Sequence, residues 1–345
     1  MTTQLTELGF YTLAGAPESP RVIVDEIREA EALGLGTAFI SERFNSKEAA
    51  TLCGAAAAVS SQIRITTGAT NHNTRHPLVT AAIASTMHGL SGGRFTLGLG
   101  RGIAPLFDAM GLEHVTTAQL EDFAALMRRL WQGEVVIGHD GPIGRYPALA
   151  LDRDFRLDIP LGLVAFGPNT LQLGGRAFDA VILHTFFSDE TLIRSIETVK
   201  RAAERAGRDP ATVKVWSCFA TIGDHIDEPL RLKKSVGRMA TYLQAYGDLM
   251  VSTNRWDPAV LARFRDDPIV LRFRGSAIDA KASTDELEHI ATLIPEDWLA
   301  ASASGTPEQC AAAVRRQLAL GADGVIMHGA SPHELAPIIA AYRSM

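Results

Sequence analysis

The chain has 345 residues, 46% hydrophobic and 21% charged, with a net charge of −6. Those values suit one large α/β barrel or two ordinary domains with a sizeable core, and exclude a general nucleic-acid binder, since no dense Lys/Arg run occurs. Cys53, Cys218 and Cys310 are far apart and odd in number, which suits reduced thiols in a cytoplasmic protein without a Cys-x-x-Cys pair. The opening MTTQLTELGF has no signal-peptide pattern and no apolar run reaches membrane-spanning length.

Leu8–Leu13 predicts a first strand, and Ser19 then caps a helix with Val22, Ile23, Ile27, Ala30 and Leu33 at helical spacing. Thr37–Ile40 is a second strand, ending in Ser41-Glu42-Arg43-Phe44, and the Ala-rich Lys47–Ser60 is a helix. Ile63–Gly68 forms a third strand of β-branched character that breaks at Gly68-Ala69-Thr70-Asn71. The chain then passes His72, Arg75 and His76 to Pro77, which opens the helix Leu78–Leu90. A strand that ends in a Gly-centred irregularity and a polar loop is how a βα barrel exposes working groups at its carboxyl face. A plain tight turn is the alternative.

Arg94–Leu99 is a fourth strand, running into Gly98-Leu99-Gly100-Arg101-Gly102, and Thr117–Trp131 is an amphipathic helix. The glycine run lacks the full dinucleotide fingerprint. Val135–Ile159 reads as an irregular surface excursion, after which Pro160–Phe166 is strand five. Gly167-Pro168-Asn169 opens a helix, Ala180–Leu183 is strand six ending at His184, Asp189–Ala206 a helix, and Val213–Ile222 strand seven. Asp227–Leu299 reads as a helical insertion, too long for one connection. Thr306–Leu320 is a helix, Gly324–Met327 strand eight and Ser331–Tyr342 a last helix. The expected fold is a single-domain (β/α)8 barrel over 1–345, carrying the 227–299 insertion before the last βα unit; a doubly wound sheet is the second choice.

Several side chains stand where barrels place chemistry. Glu42 ends the second strand, as a cofactor contact or proton relay, or as the partner of a loop ion pair with Arg43. His72 and His76 are four apart without a third ligand, so they read as a polar pocket wall and no metal is expected. Gly167-Pro168-Asn169 offers a bare helix start to a phosphate, or is simply a helix start. His184 reaches the same ligand or is structural, and Arg101 binds an anion or pairs with an acid.

The pieces FISERF (Phe39–Phe44), RITTGATNHNTRHP, SGGRFTLGLGRG, FGPNTLQLGGRAFDAVILHT and GTPEQC…LGADGVIMHG converge on one family. Over essentially its whole length the sequence resembles the luciferase-like flavin and deazaflavin oxidoreductases, particularly the coenzyme F420 branch. The resemblance implies a TIM-type barrel, a cytoplasmic homodimer, and hydride transfer between the deazaflavin ring and a small organic substrate. It implies a bulge with a non-prolyl cis peptide at Gly68-Ala69-Thr70, extended by Asn71, behind the ring. Glu42 would meet the ring edge, with Gly100, Arg101 and Gly102 nearby. The tail phosphate would sit at Ala165, Phe166, Gly167, Pro168 and Asn169, near His184. Glu42 and His72 would be catalytic, with Tyr11, His76 and His328 on the substrate side. The sugar-phosphate dehydrogenases of the family differ: they have Asp-His where this chain has Glu42-Arg43, and a catalytic Glu where it has Ile103. That acid/base pair is missing here. The alternatives are an FMN-dependent monooxygenase of the same family, and an F420-binding protein without turnover.

Overall fold

The computed structural model describes residues 3–345 apart from 16, 18, 44–45 and 153–155. Phe44, the last residue of the second-strand motif, therefore lies outside the described residues.

The first half of the chain alternates strictly. Strand β1 (Leu5–Tyr11) leads to α1 (Val22–Ala32), β2 (Leu35–Ile40) to α2 (Ala49–Val59), and β3 (Arg64–Thr67) to α3 (Pro77–Leu90). After β4 (Phe95–Leu99) come a short α4 (Ala104–Ala109) and α5 (Thr117–Trp131). An antiparallel hairpin follows, β5 (Val136–Gly141) with β6 (Gly144–Leu149). Then β7 (Leu161–Ala165), α6 (Pro168–Ala177), β8 (Ala180–Leu183), α7 (Asp189–Arg205) and β9 (Lys214–Gly223) restore the alternation.

Beyond β9 the chain runs through α8 (Glu228–Leu232), one π-helical turn, α9 (Arg238–Asn254), α10 (Pro258–Asp266) and α11 (Pro268–Arg272). It continues through α12 (Ile278–Lys281), α13 (Thr284–Ala291) and α14 (Glu296–Leu299). Strand β10 (Ala303–Gly305), α15 (Pro307–Ala319), β11 (Gly324–His328) and α16 (Pro332–Ser344) complete the fold.

All strands of the main sheet run parallel, in the order β11-β1-β2-β3-β4-β7-β8-β9, and β9 pairs back onto β11, closing an eight-stranded barrel. The (β/α)8 expectation is met. Strands buried on both faces need apolar runs rather than alternation, and β2 and β4 are buried at every position. Thr116, Thr306 and Ser331 each cap a helix through a reciprocal box with the Gln or Glu three residues on. Ser19 does not cap α1; its hydroxyl accepts from Arg21 N at 3.2 Å, outside the helix.

The irregular reading of 135–159 is corrected by the hairpin. Within β5 and β6 only Val136 and Leu149 are buried, so no apolar alternation marked the strands. The helices of 228–299 build their own core around Met239, Leu243, Phe264, Leu287 and Ile290, with Trp256 and Trp298 stacked at 4.4 Å. No helix among the described residues is long and apolar enough to cross a membrane.

Candidate functional site at the barrel mouth

The β3–β4 ladder changes its hydrogen-bonding groups at Thr67. The Thr67 hydroxyl donates to Gly98 O at 2.8 Å and accepts from Gly98 N at 2.7 Å, replacing backbone partners. Main-chain pairing resumes three residues later, where Thr70 N donates to Gly98 O and Gly100 N to Thr70 O, each at 2.9 Å. Gly68 and Ala69 are the residues stepped out of register, and the peptide between them is cis. Their backbone is tied to the other neighbour, β2: Gly68 N donates to Ile40 O at 2.7 Å and Glu42 N to Ala69 O at 3.2 Å. Two glycines make the close approach possible. A Cβ on Gly98 would lie 1.9 Å from Thr67 O, and one on Gly100 3.0 Å from Ala69 Cβ. Tyr11, at the end of β1, places its hydroxyl 2.9 Å from where a Gly68 Cβ would be.

Glu42 lies at the back of this bulge, its side chain 4% exposed. Its Oε2 accepts from Thr70 Oγ1 at 2.6 Å, Asn71 Nδ2 at 3.1 Å and Arg75 Nη1 at 3.3 Å. Its Oε1 accepts from Ala49 N at 3.3 Å and from Arg75 Nη2, and the same nitrogen reaches Glu48 at 2.6 Å. The expected partner Arg43 is not the one used. With five donors on one carboxylate no lone pair is left to relay a proton, so Glu42 acts here as a clamp on the loop 70–75.

Other expected residues are also absorbed by structure. Arg101 spends its guanidinium on Thr170 Oγ1 at 3.0 Å, Val115 O at 2.8 Å and Thr117 Oγ1 at 2.5 Å, bracing the starts of α5 and α6. Gly102 has φ +69°, and a Cβ there would collide with the Phe107 ring at 2.4 Å. His76 is an exposed cap whose Nδ1 accepts from Leu78 N at 3.3 Å, its ring edge-on to Tyr146 of the hairpin. His72 is buried beside Phe123 at 5.6 Å, and its Nδ1 has no partner. Ile103 stands at the N-cap of α4 without a capping side chain. Among the described residues no cluster of His, Cys, Asp and Glu suits a metal.

The mouth itself is walled by rings. Phe166, one residue past β7, stacks on His184, one past β8, at 4.3 Å and 8°. Tyr242 and Tyr246 of α9 close over His184 at 4.9 and 5.3 Å, and Tyr242 also faces His328 at 6.5 Å. His328 ends β11 and meets Tyr11 edge-on at 5.5 Å. Behind them Thr185 Oγ1 and Cys218 Sγ share a hydrogen bond of 3.1 Å. Opposite Tyr11, Gly167 caps α6 without a side-chain bond, Pro168 brings no N–H and Thr170 N turns back to Gly167 O at 3.1 Å, which leaves the Asn169 N–H of that first turn.

Burial sets the protonation states. It holds His184 and His72 down to about 4 and His328 well below its ordinary range, the last also through Arg238. It pushes the Tyr11 and Tyr242 phenols up. Near neutral pH these imidazoles are uncharged and the phenols keep their protons. Histidines held neutral in the fold but free to protonate near pH 6.5 when unfolded contribute stability above 6.5 that is lost as pH falls toward 4. The thermal midpoint should therefore change little around pH 7 and fall between 6.5 and 5, above the ordinary carboxylate range. His184→Phe should flatten part of that fall in a pH series of melting curves.

Comparison with known proteins supplies the family. The luciferase-like monooxygenase model matches residues 5–324. The chain belongs to the luciferase-like monooxygenase family. It is thus a member of a family of oxidoreductase enzymes. One member, the 5,10-methylenetetrahydromethanopterin reductase of Methanolobus tindarius, is 28% identical over 305 residues, 86% of each chain. The solved coenzyme F420-dependent tetrahydromethanopterin reductase of Methanopyrus kandleri superposes with a TM-score of 0.80 at 22% identity, covering 97% of both chains. An F420-dependent secondary alcohol dehydrogenase in complex with an F420-acetone adduct superposes with a TM-score of 0.73 at 17% identity, covering 99% of this chain and 98% of that one. At these identities the superpositions establish the shared luciferase-like barrel.

The structure brings Tyr11, Gly68, Ala69, Phe166, His184 and His328 of the expected residues to one mouth, and leaves His72, His76 and Arg101 in the framework around it. Tyr242 and Tyr246 of the mouth were not expected. They come from the helical segment rather than from a strand end, and no strand-end signal marks them. Their four-residue spacing on α9, one helical turn, is the feature that could have flagged a ring-bearing face.

Proposed function

We propose that this chain is a coenzyme F420-dependent oxidoreductase that moves a hydride between the deazaflavin ring and a small organic substrate. The bulge at Gly68-Ala69 carries the reading: it makes a backbone floor beside the Tyr11 ring, where Gly68 leaves room for the Tyr11 hydroxyl and Gly100 for the approach of Ala69. The fit extends to the first turn of α6 opposite, where the Asn169 N–H and the helix dipole suit a tail phosphate. Ala165, Phe166, Gly167, Pro168 and Asn169 would hold that tail, with His184 stacked beneath it. Thr70, Asn71 and Gly100 would border the ring. The names of two structural neighbours, both F420-dependent, support the choice of cofactor.

When bound, the deazaflavin supplies two-electron hydride chemistry. The chain supplies the surroundings. Glu42 fixes Thr70, Asn71 and Arg75, so the bulge keeps its shape. Tyr11, Tyr242, Tyr246 and His328 wall off water on the substrate side. Burial keeps the Tyr11 and Tyr242 phenols protonated and both imidazoles neutral, so a phenol O–H is the group available to donate a hydrogen bond to a substrate oxygen. Anaerobic mixing of the protein with reduced F420 and a panel of ketones and imines tests this. Substrate-dependent loss of reduced cofactor without oxygen supports it. Oxygen consumption with reduced FMN instead makes the chain a monooxygenase, and F420 binding without redox change with any substrate makes it a carrier.

The partner surface is read as a homodimer through α2 and α3. Neither helix carries Asp, Glu, Lys or Arg, yet Val79 and Leu90 of α3 are 50% and 63% exposed. An uncharged exposed face of this kind suits a second copy. Val79→Lys should convert a dimer into a monomer in light scattering without changing the circular dichroism. A wild-type monomer would remove the assignment.

A further inference from the structure

Three cations converge at the carboxyl end of β1 and β2. Lys47 is 8% exposed. Its Nζ donates to Leu13 O at 3.3 Å and to Ser41 Oγ at 3.0 Å, and among the described residues it has no ion-pair partner. The Leu13 carbonyl is presented by a left-handed residue, φ 53°. Arg43, exposed, donates to Gly15 O at 3.1 Å and likewise lacks a carboxylate partner among the described residues. Arg238 arrives from α9, paired with Asp279 at 2.7 Å and lying 5.7 Å over the Tyr242 ring.

The charges of these three groups all reach the His328 imidazole and help to hold its pKa down, after burial and together with His184. The carboxylates that face them are Asp279, committed to Arg238, and Glu26, which accepts from Leu13 N at 2.7 Å and whose own pKa burial raises. Burying an ammonium without a carboxylate is costly, and proteins normally supply a partner. Here the surplus is positive and borders the substrate side of the mouth. It is also far from the start of α6. In the closed ring of eight strands β1 stands four places from β7, the strand that feeds α6.

We propose that Lys47 and Arg43 form an oxyanion subsite, so that the substrate of this enzyme carries a carboxylate or phosphate group. The inference rests on the reading of the mouth as the shared cofactor and substrate site. A free cofactor phosphate has its own place across the barrel, so the anion met here belongs to the substrate. Burial, then Arg43, bring Lys47 down to about 8, which leaves it mostly charged at neutral pH. The compact ammonium and the forked guanidinium both suit oxyanions. The two residues are paired in one antiparallel bridge, Arg43 N donating to Lys47 O at 2.9 Å and Lys47 N to Arg43 O at 2.8 Å. Both side chains reach the loop after β1, at Gly15 and Leu13.

Inorganic phosphate and acetate are the probes, titrated calorimetrically at pH 7 into protein loaded with F420, which occupies the α6 end. Saturable binding of one of them is expected, phosphate or acetate according to the substrate's group. Lys47→Met should weaken it at least tenfold and Arg43→Gln severalfold, with F420 affinity unchanged in both. Lys47→Arg, which keeps the charge, should retain most of it, and Arg43→Gln at an exposed position reads the subsite even where Lys47→Met fails to fold. Neither probe binding wild-type protein, or either one binding all variants alike, overturns the subsite. Failure of F420 to bind would instead fell the cofactor reading, and the same titrations on unloaded protein would still report on Lys47 and Arg43.

Discussion

Replacing Glu42 by Ala should destabilise the protein by about 3 kcal/mol and weaken F420 binding more than tenfold. Removing one partner of a buried ion pair costs about 3–5 kcal/mol, because the other charge stays behind unpaired. The lower end applies because the Arg75 side chain is 19% exposed and retains Glu48. The effect on binding follows from the same contacts. Thr70 and Asn71 lose their common acceptor at 2.6 and 3.1 Å, and the loop after the bulge loses its fixed shape. Glu42→Gln should fall between wild type and Ala. Its amide would turn donors toward Arg75, Thr70 or the Ala49 N–H, whichever way it is flipped. Urea denaturation with an F420 titration measures both quantities. Wild-type stability and affinity in the Ala variant would mean that something else holds the loop.

A second large effect is expected at Gly98→Ala. The added methyl would lie 1.9 Å from the Thr67 carbonyl oxygen, a backbone atom fixed between β2 and β4 that cannot swing aside. Relief requires β3 to move off β4, which breaks both Thr67 hydroxyl bonds and the pairing at Thr70. Overpacking alone costs about 1–3 kcal/mol, and the lost buried hydrogen bonds add about 1 kcal/mol each. The variant should melt several degrees lower, or fail to accumulate as folded protein, and should not bind F420. Gly89→Ala is the control: nothing stands within 4 Å of its added methyl, on a helix. It should be neutral or slightly stabilising. A Gly98→Ala protein as stable as the control would contradict the packing described for the bulge.

The barrel was legible because its signals are local. Apolar strand runs, Gly or Ser punctuation and Pro at helix starts recur around the ring, and the ends of α5 and β8 fall where periodicity puts them. The bulge at Gly68-Ala69 was legible as a Gly-centred break after a β-branched run and, through the resemblance, as a cis peptide. What was hidden depends on partners distant in the chain. Glu42 reads as a cofactor contact, a proton relay or the partner of Arg43 until Arg75, 33 residues on, folds back onto it. Arg101 reads as an anion ligand or the partner of an acid until Thr117 and Thr170 arrive from two helices. The 136–149 hairpin lies on the surface with almost no buried positions, so its pattern carries no period. Tyr242 and Tyr246 reach the mouth only because α9 crosses it, and that placement is decided by the core of the helical segment rather than by the sequence around the tyrosines.

F420 and FMN titrated separately into the same purified protein, each followed by fluorescence, test most directly whether the floor at Gly68-Ala69 belongs to a deazaflavin. Saturable micromolar binding of F420, with FMN much weaker, is the expected result. It should be weakened more than tenfold in Glu42→Ala and kept in Lys47→Met. Tighter binding of FMN, or binding of neither, would contradict the assignment of the mouth to coenzyme F420.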